Sequence, residues 1–118
     1  MSRILVTGAT GFVGQQVIKQ LQARYPKARI VAAGRREEQL KSLGAEYRVF
    51  DLDDCDQDSF DYLGEPELVL HLAWSGLPNY KDLFHIEENV PRQYRFIKQM
   101  VQSGLKRIAI SGTCFEYG

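Results

Sequence analysis

Three glycines, Gly8, Gly11 and Gly14, stand three residues apart where an apolar run gives way to a helical pattern. The run Arg3 to Thr7 has strand character. From about Gly11 to Arg24 the apolar residues Phe12, Val13, Val17, Ile18 and Leu21 recur at helical spacing, which predicts one amphipathic helix. A chain that turns from strand to helix in so few residues demands something different of each glycine. Gly8 turns sharply off the strand, where a Cβ would clash. Gly11 leaves room for an anion at the helix start, where unpaired N–H groups and the helix dipole favour negative charge. Gly14, one turn in, lets the helix lie close on the sheet.

The rest of the chain alternates strand and helix. A second strand, Ala28 to Ala33, runs into Gly34-Arg35-Arg36. A short helix over Glu37 to Leu43 stops at Gly44. A third strand, Glu46 to Phe50, leads into the acidic turn Asp51-Leu52-Asp53-Asp54. A weak helix from Gln57 to Leu63 ends at Gly64-Glu65-Pro66. The fourth strand, Leu68 to Leu72, is almost wholly apolar, as a strand buried on both faces must be. After a loop at Ser75 to Asn79, a long helix is expected from Lys81 to Ser103, with a kink at Pro91. The fifth strand is Arg107 to Ile110. Such alternation predicts an α/β fold, a Rossmann-type doubly wound parallel sheet in a single domain over residues 1–118. In that setting the glycine spacing reads as a dinucleotide-binding turn.

Composition removes other classes. Lys plus Arg and Asp plus Glu number 15 each among 118 residues, so no basic surplus points to nucleic acid. No run approaches the ~18 apolar residues of a membrane span. A start of Met-Ser-Arg followed at once by a strand leaves no room for a signal peptide, and a cytoplasmic protein is expected. Cys55 and Cys114 match no metal spacing and are expected to be free thiols.

The run Thr7-Gly8-Ala9-Thr10-Gly11-Phe12-Val13-Gly14 resembles the cofactor fingerprint of short-chain dehydrogenases/reductases. Its closest fit is the extended branch of NAD(P)-dependent sugar-nucleotide epimerases and dehydratases. The resemblance implies strand order 3-2-1-4-5, with the ligand at the carboxyl ends of strands one and four. It implies that Gly8, Thr10, Gly11, Phe12, Val13 and Gly14 surround the cofactor. Asp51-Leu52 resembles the family's pair at the adenine, although Asp51 could instead only cap its turn. His71-Leu72-Ala73 resembles the segment beside the cofactor ribose and pyrophosphate. Leu72 and Ala73 then belong to the site, while His71 reads as a packed, hydrogen-bonded residue. Asn89-Val90 matches a pair whose Asn ties helix to sheet.

The end of the second strand bears on cofactor choice. An Asp or Glu on the ribose hydroxyls favours NAD, whereas Gly34 stands here, followed by Arg35 and Arg36. A guanidinium can hold a 2′-phosphate, so NADP is favoured over NAD. Glu37 or Glu38 could still reach a ribose.

Thr113 falls on the family's hydroxyl that hydrogen-bonds the substrate oxygen during hydride transfer. Cys114-Phe115 replaces the Asp-Glu pair of the dehydratases, which points to an epimerase or keto-sugar reductase acting on a nucleotide-sugar. The family's Tyr and Lys acid/base pair is expected beyond Gly118, so the chain alone should bind cofactor without turnover. Tyr94 and Lys98 have the right spacing but precede Thr113. Tyr94 instead fits an apolar stripe with Leu83, Val90, Ile97 and Val101. With a second patch at Phe84, Phe96 and Met100, that helix predicts a homodimer burying Tyr94, Ile97 and Val101 between chains. Two rivals remain: an NADP-binding redox-sensor module without catalysis, and an interaction protein that kept the fold but lost the ligand.

Overall fold

The computed structural model describes residues 2–72 and 90–110. Its strands are β1 (Arg3–Thr7), β2 (Arg29–Gly34), β3 (Glu46–Val49), β4 (Leu68–His71) and β5 (Arg107–Ile110). Its helices are α1 (Phe12–Arg24), α2 (Glu37–Lys41), α3 (Ser59–Tyr62) and α4 (Val90–Gln102), with a 3-10 turn at Leu52–Asp54. The five strands form one parallel sheet in the order β3-β2-β1-β4-β5. Thr7 is level with Ala33 on one side and His71 on the other, so the carboxyl ends of the central strands form a common rim.

Alternation along each strand separates two cores. Leu5, Val31 and Val69 point to one face, where they meet Phe96 and Met100 of α4 with Leu63 and Leu105. Ile4, Val6, Ile30 and Ala32 point to the other, against Ile18 of α1 and Leu40 of α2. Burial on both faces is what a near-continuous apolar strand requires. At the far end of the sheet, Arg29 donates to both carboxylate oxygens of Glu46 at 2.9 and 2.7 Å, joining the starts of β2 and β3.

One packing expectation is overturned. Phe12 and Val13 do not lie on the buried face of α1; they are 84% and 58% exposed, and the sheet contact is carried by Val17, Ile18 and Leu21. On α4 the two apolar patches separate onto different faces. Phe96 and Met100 are fully buried on the sheet, with Ile97 packed at the margin, whereas Tyr94 and Val101 face outward. A helix with more apolar residues than one face can bury leaves its choice of face to tertiary fit. The reading of α4 before Val90 and the effect of Pro91 turn on residues outside those described, as do Phe84, Leu83 and Asn89.

Candidate functional site

β1 ends in a turn that only glycine allows without strain. Gly8 has φ +66°, and its carbonyl accepts from the Gly11 amide at 3.1 Å. The Ala9 amide donates to Ala33 O at 3.3 Å, tying the turn to β2. Gly11 is the N-cap of α1 in extended conformation and offers no side chain to the free amides of the first turn. A Cβ on Gly11 would come no nearer than 3.4 Å to Gly8 O, an ordinary contact. A Cβ on Gly14 would lie 2.2 Å from the same oxygen and 2.8 Å from Ala9 Cα. Gly14 therefore sets how closely α1 seats on the turn, and Gly11 leaves an open helix end.

That open end faces a cavity of about 310 Å³ at the sheet rim. Thr7, Gly8, Thr10 and Gly11 form one wall; Ala33, Gly34 and Arg35 form the β2 wall. Phe50, Asp51 and Leu52 close it from β3, and Leu72 and Arg92 from β4 and α4. Of the residues expected here, Gly8, Thr10, Gly11, Arg35, Asp51, Leu52 and Leu72 do line it. Gly14 supports it from behind. Phe12, Val13 and Arg36 are not in its wall; Arg36 is exposed and precedes the first turn of α2. Ala73 and Thr113 lie outside the described residues, as does Cys114. Cys55 is a free thiol, and burial raises its pKa above the usual value, so it carries little thiolate.

Asp51 caps the 3-10 turn, its Oδ1 accepting from the Asp53 amide at 3.0 Å. Capping and a wall position are not alternatives, because a carboxylate has about four lone-pair sites. Gly34 has a role beyond the absence of an acid: a Cβ there would press on Leu40 at 3.3 Å and meet Thr10 at 3.6 Å. Thr7, Ala33, Phe50 and Arg92 were not expected in the wall. The first three lie at or within one residue of their strands' carboxyl ends and could have been found by extending the rim rule to β1, β2 and β3 alike. Arg92 comes from a helix distant in sequence and carries no local signal.

Beneath the rim lies a hydrogen-bond network. The Leu72 amide donates to Thr7 Oγ1 at 3.1 Å, and Thr7 Oγ1 is 2.7 Å from His71 Nδ1. His71 Nε2 meets Gln93 Oε1. One neutral tautomer fits both ring contacts: Thr7 donates to Nδ1, and Nε2–H donates to Gln93. His71 is buried and stacks on Phe96 with ring centroids 4.8 Å apart. Burial pushes its pKa below the usual value, with the Gln93 hydrogen bond acting in the opposite sense. This is the packed histidine expected from the sequence. Tyr94 lies outside the cavity on the exposed face of α4, with Lys98 Nζ 5.9 Å from its ring centroid. Its contact with Lys98 is a surface cation–π pair.

Among the described residues no helix is long and apolar enough to cross a membrane, and no cluster of His, Cys, Asp or Glu could hold a metal ion.

Comparison with known proteins gives this cavity its context. The dTDP-6-deoxy-L-talose 4-dehydrogenase (NAD(+)) of Aggregatibacter actinomycetemcomitans is 32% identical over 116 residues, 98% of this chain and 43% of that protein. A UDP-glucose-4-epimerase from Stenotrophomonas maltophila, solved with bound NAD, superposes with a TM-score of 0.81 at 17% identity, over 100% of this chain and 39% of that one. The triphenylmethane reductase of Citrobacter sp., complexed with NADP(H), gives 0.74 at 26% identity, over 97% and 38%. The chain thus spans less than half the length of each of these relatives. The model of the NAD dependent epimerase/dehydratase family matches residues 4–118, and the chain belongs to that family.

Proposed function

We propose that the chain is the dinucleotide-binding part of an NAD(P)-dependent sugar-nucleotide epimerase or keto-sugar reductase. The observation that carries this is the cavity at the sheet rim, with the open N-terminus of α1 on one wall and Arg35 on another. Gly8 and Gly11 would cradle the pyrophosphate against the free amides of α1. Phe50, Leu52 and Leu72 would cover the flat base, and an Asp51 oxygen would accept from its amino group. The nicotinamide supplies a hydride acceptor or donor to a sugar carbon when bound. Thr7 and the neutral His71 network would hold the rim rigid beneath it. Thr113 is assigned to the substrate oxygen by its sequence position alone. The nucleotide-sugar class rests on the dTDP-sugar relative, and a cytoplasmic location follows from the same reading.

We assign NADP ahead of NAD. Relatives named for NAD(+) and for NADP(H) both occur, so family membership leaves the choice to local residues. Arg35 lines the cavity directly after Gly34, and the β2 segment Ala33 to Arg35 carries no carboxylate of its own. One charge-assisted pair there favours NADPH by about 1.5–3 kcal/mol. Calorimetric titration with NADPH and NADH, on wild type and Arg35→Ala, tests this. NADPH should bind more tightly, and Arg35→Ala should narrow the gap. Equal affinities in the wild type would overturn the preference.

An NADP-binding module without catalysis is a second reading, resting on Arg35 at the end of β2. Hydride transfer to dTDP-keto-sugars by the whole protein separates the two. Self-association through α4 is proposed as well, now through Tyr94 and Val101, since Ile97 packs on its own core.

A further inference from the structure

Besides Arg35, the cavity has a second cation, Arg92, in its wall. Arg92 is the third residue of described α4, and its side chain is only 17% exposed. Its Nε donates to Asp53 Oδ1 at 2.6 Å. Asp53 is itself fixed by its amide, which donates to Asp51 Oδ1. Arg95 stands 3.8 Å from the same Asp53 oxygen. The planar guanidinium is thus tied to the 3-10 turn that follows Asp51, and both Arg92 and Asp51 line the cavity. One turn further along α4, Phe96 meets Phe50 with ring centroids 5.9 Å apart, which anchors this end of the helix against β3.

The two ends of the cavity differ in chemistry. The Gly8–Gly11 end offers backbone amides and suits phosphate. The Phe50–Leu52 end offers apolar side chains and one carboxylate, and suits a flat base with an exocyclic amino group. Arg92 belongs to the second end, because its ion pair is with the residue directly after Leu52. A guanidinium stacks on a purine face and hydrogen-bonds in its own plane, as an ammonium does not.

We propose that Arg92 contacts the adenine base of the bound dinucleotide, and that Asp53 is the positioning residue that holds its guanidinium in place. This rests on the dinucleotide reading above and adds to it a base-recognising residue from α4. Asp53 acts only through Arg92 and the turn that carries Asp51.

The test uses calorimetry with 5′-AMP and with nicotinamide mononucleotide, after NADPH binding by the wild type has been measured. Arg92→Gln should weaken 5′-AMP by about tenfold, the scale of one cation–π or charge-assisted contact, and leave the nicotinamide mononucleotide unchanged. Arg92→Lys keeps a charge opposite Asp53, so it should restore the thermal midpoint but recover the 5′-AMP affinity only in part. Asp53→Asn, a change at an exposed carboxylate, should weaken 5′-AMP by roughly threefold with Arg92 still present. It keeps the proposal open to refutation should Arg92→Gln fail to fold. Unchanged 5′-AMP affinity in the folded variants, equal losses for both half-molecules, or full rescue by lysine would each overturn the proposal while leaving the dinucleotide reading intact. A wild type that binds no dinucleotide would remove both.

Discussion

The turn from β1 into α1 and the helix α4 are both rich in small or apolar residues, yet they are specified in different ways. At the turn, every demanding contact is between backbone atoms close in sequence: Gly14 against Gly8 O and Ala9 Cα, Gly8 in left-handed conformation, the Gly11 amide on Gly8 O. Backbone geometry of that kind leaves one residue type as the solution and is written directly into the sequence. On α4 the contacts are with residues far along the chain. Phe96 meets Phe50 and His71, and Gln93 meets His71. Several apolar residues compete for that face, and packing decides between them.

If the turn is set by backbone contact, Gly14 must be the least replaceable residue of the two regions. Gly14→Ala should cost more than about 4 kcal/mol, or abolish folding, because the atoms it meets are backbone and cannot give way. Urea unfolding measures it, and a loss below about 1 kcal/mol would contradict the close seating of α1. On α4, Phe96→Ala should cost about 3–5 kcal/mol, the range for truncating a buried aromatic ring. A cost no larger than that of Tyr94→Ala would mean that the sheet-facing stripe is the other one.

The histidine network sharpens the contrast, since it joins the rim to α4. Burial holds the folded-state pKa of His71 below the unfolded value of 6.5. The unfolded chain therefore binds more protons between the two values. Stability from the neutral ring is complete above about 6.5 and is lost as pH falls through the lower folded-state pKa. Denaturant midpoints from pH 8 to 5 (roughly the histidine range) should decline toward acid, and His71→Phe should flatten that slope. A midpoint that rises toward acid would contradict a neutral His71. The smallest effect is at the outer face of α4. Tyr94→Ala should change unfolding free energy by less than about 0.5 kcal/mol in dilute solution, as expected for an exposed residue. It should also weaken any self-association seen by sedimentation. An unchanged association constant would exclude Tyr94 from the interface.

Much of the fold was legible because a parallel sheet of apolar strands between amphipathic helices leaves few arrangements. Arg3 to Thr7 and Arg107 to Ile110 were located to the residue, and other strand limits moved by one position. The strand order required the family resemblance as well as right-handed crossovers. In the site, Gly8, Gly11 and Asp51 were legible because turn chemistry is local. The side chains of Phe12 and Val13 were put on the buried face of α1 because helical spacing alone does not show where the sheet contact begins. Arg36 was paired with Arg35 by adjacency, but the backbone entering α2 keeps it out of the cavity wall. Arg92 was invisible because its place depends on α4 docking beside the 3-10 turn.

The central claim is that the open N-terminus of α1 at Gly11 is where a nicotinamide dinucleotide binds. Gly11→Val tests it most directly, because a Cβ there meets only Gly8 O, at 3.4 Å, among the described residues, while the side chain would stand before the helix amides. Calorimetric titration of wild type and variant with NADPH and NADH, beside their thermal midpoints, is the measurement. The expected result is binding by the wild type, none by the variant, and nearly equal midpoints. A folded Gly11→Val chain that binds either dinucleotide as the wild type does would contradict the claim.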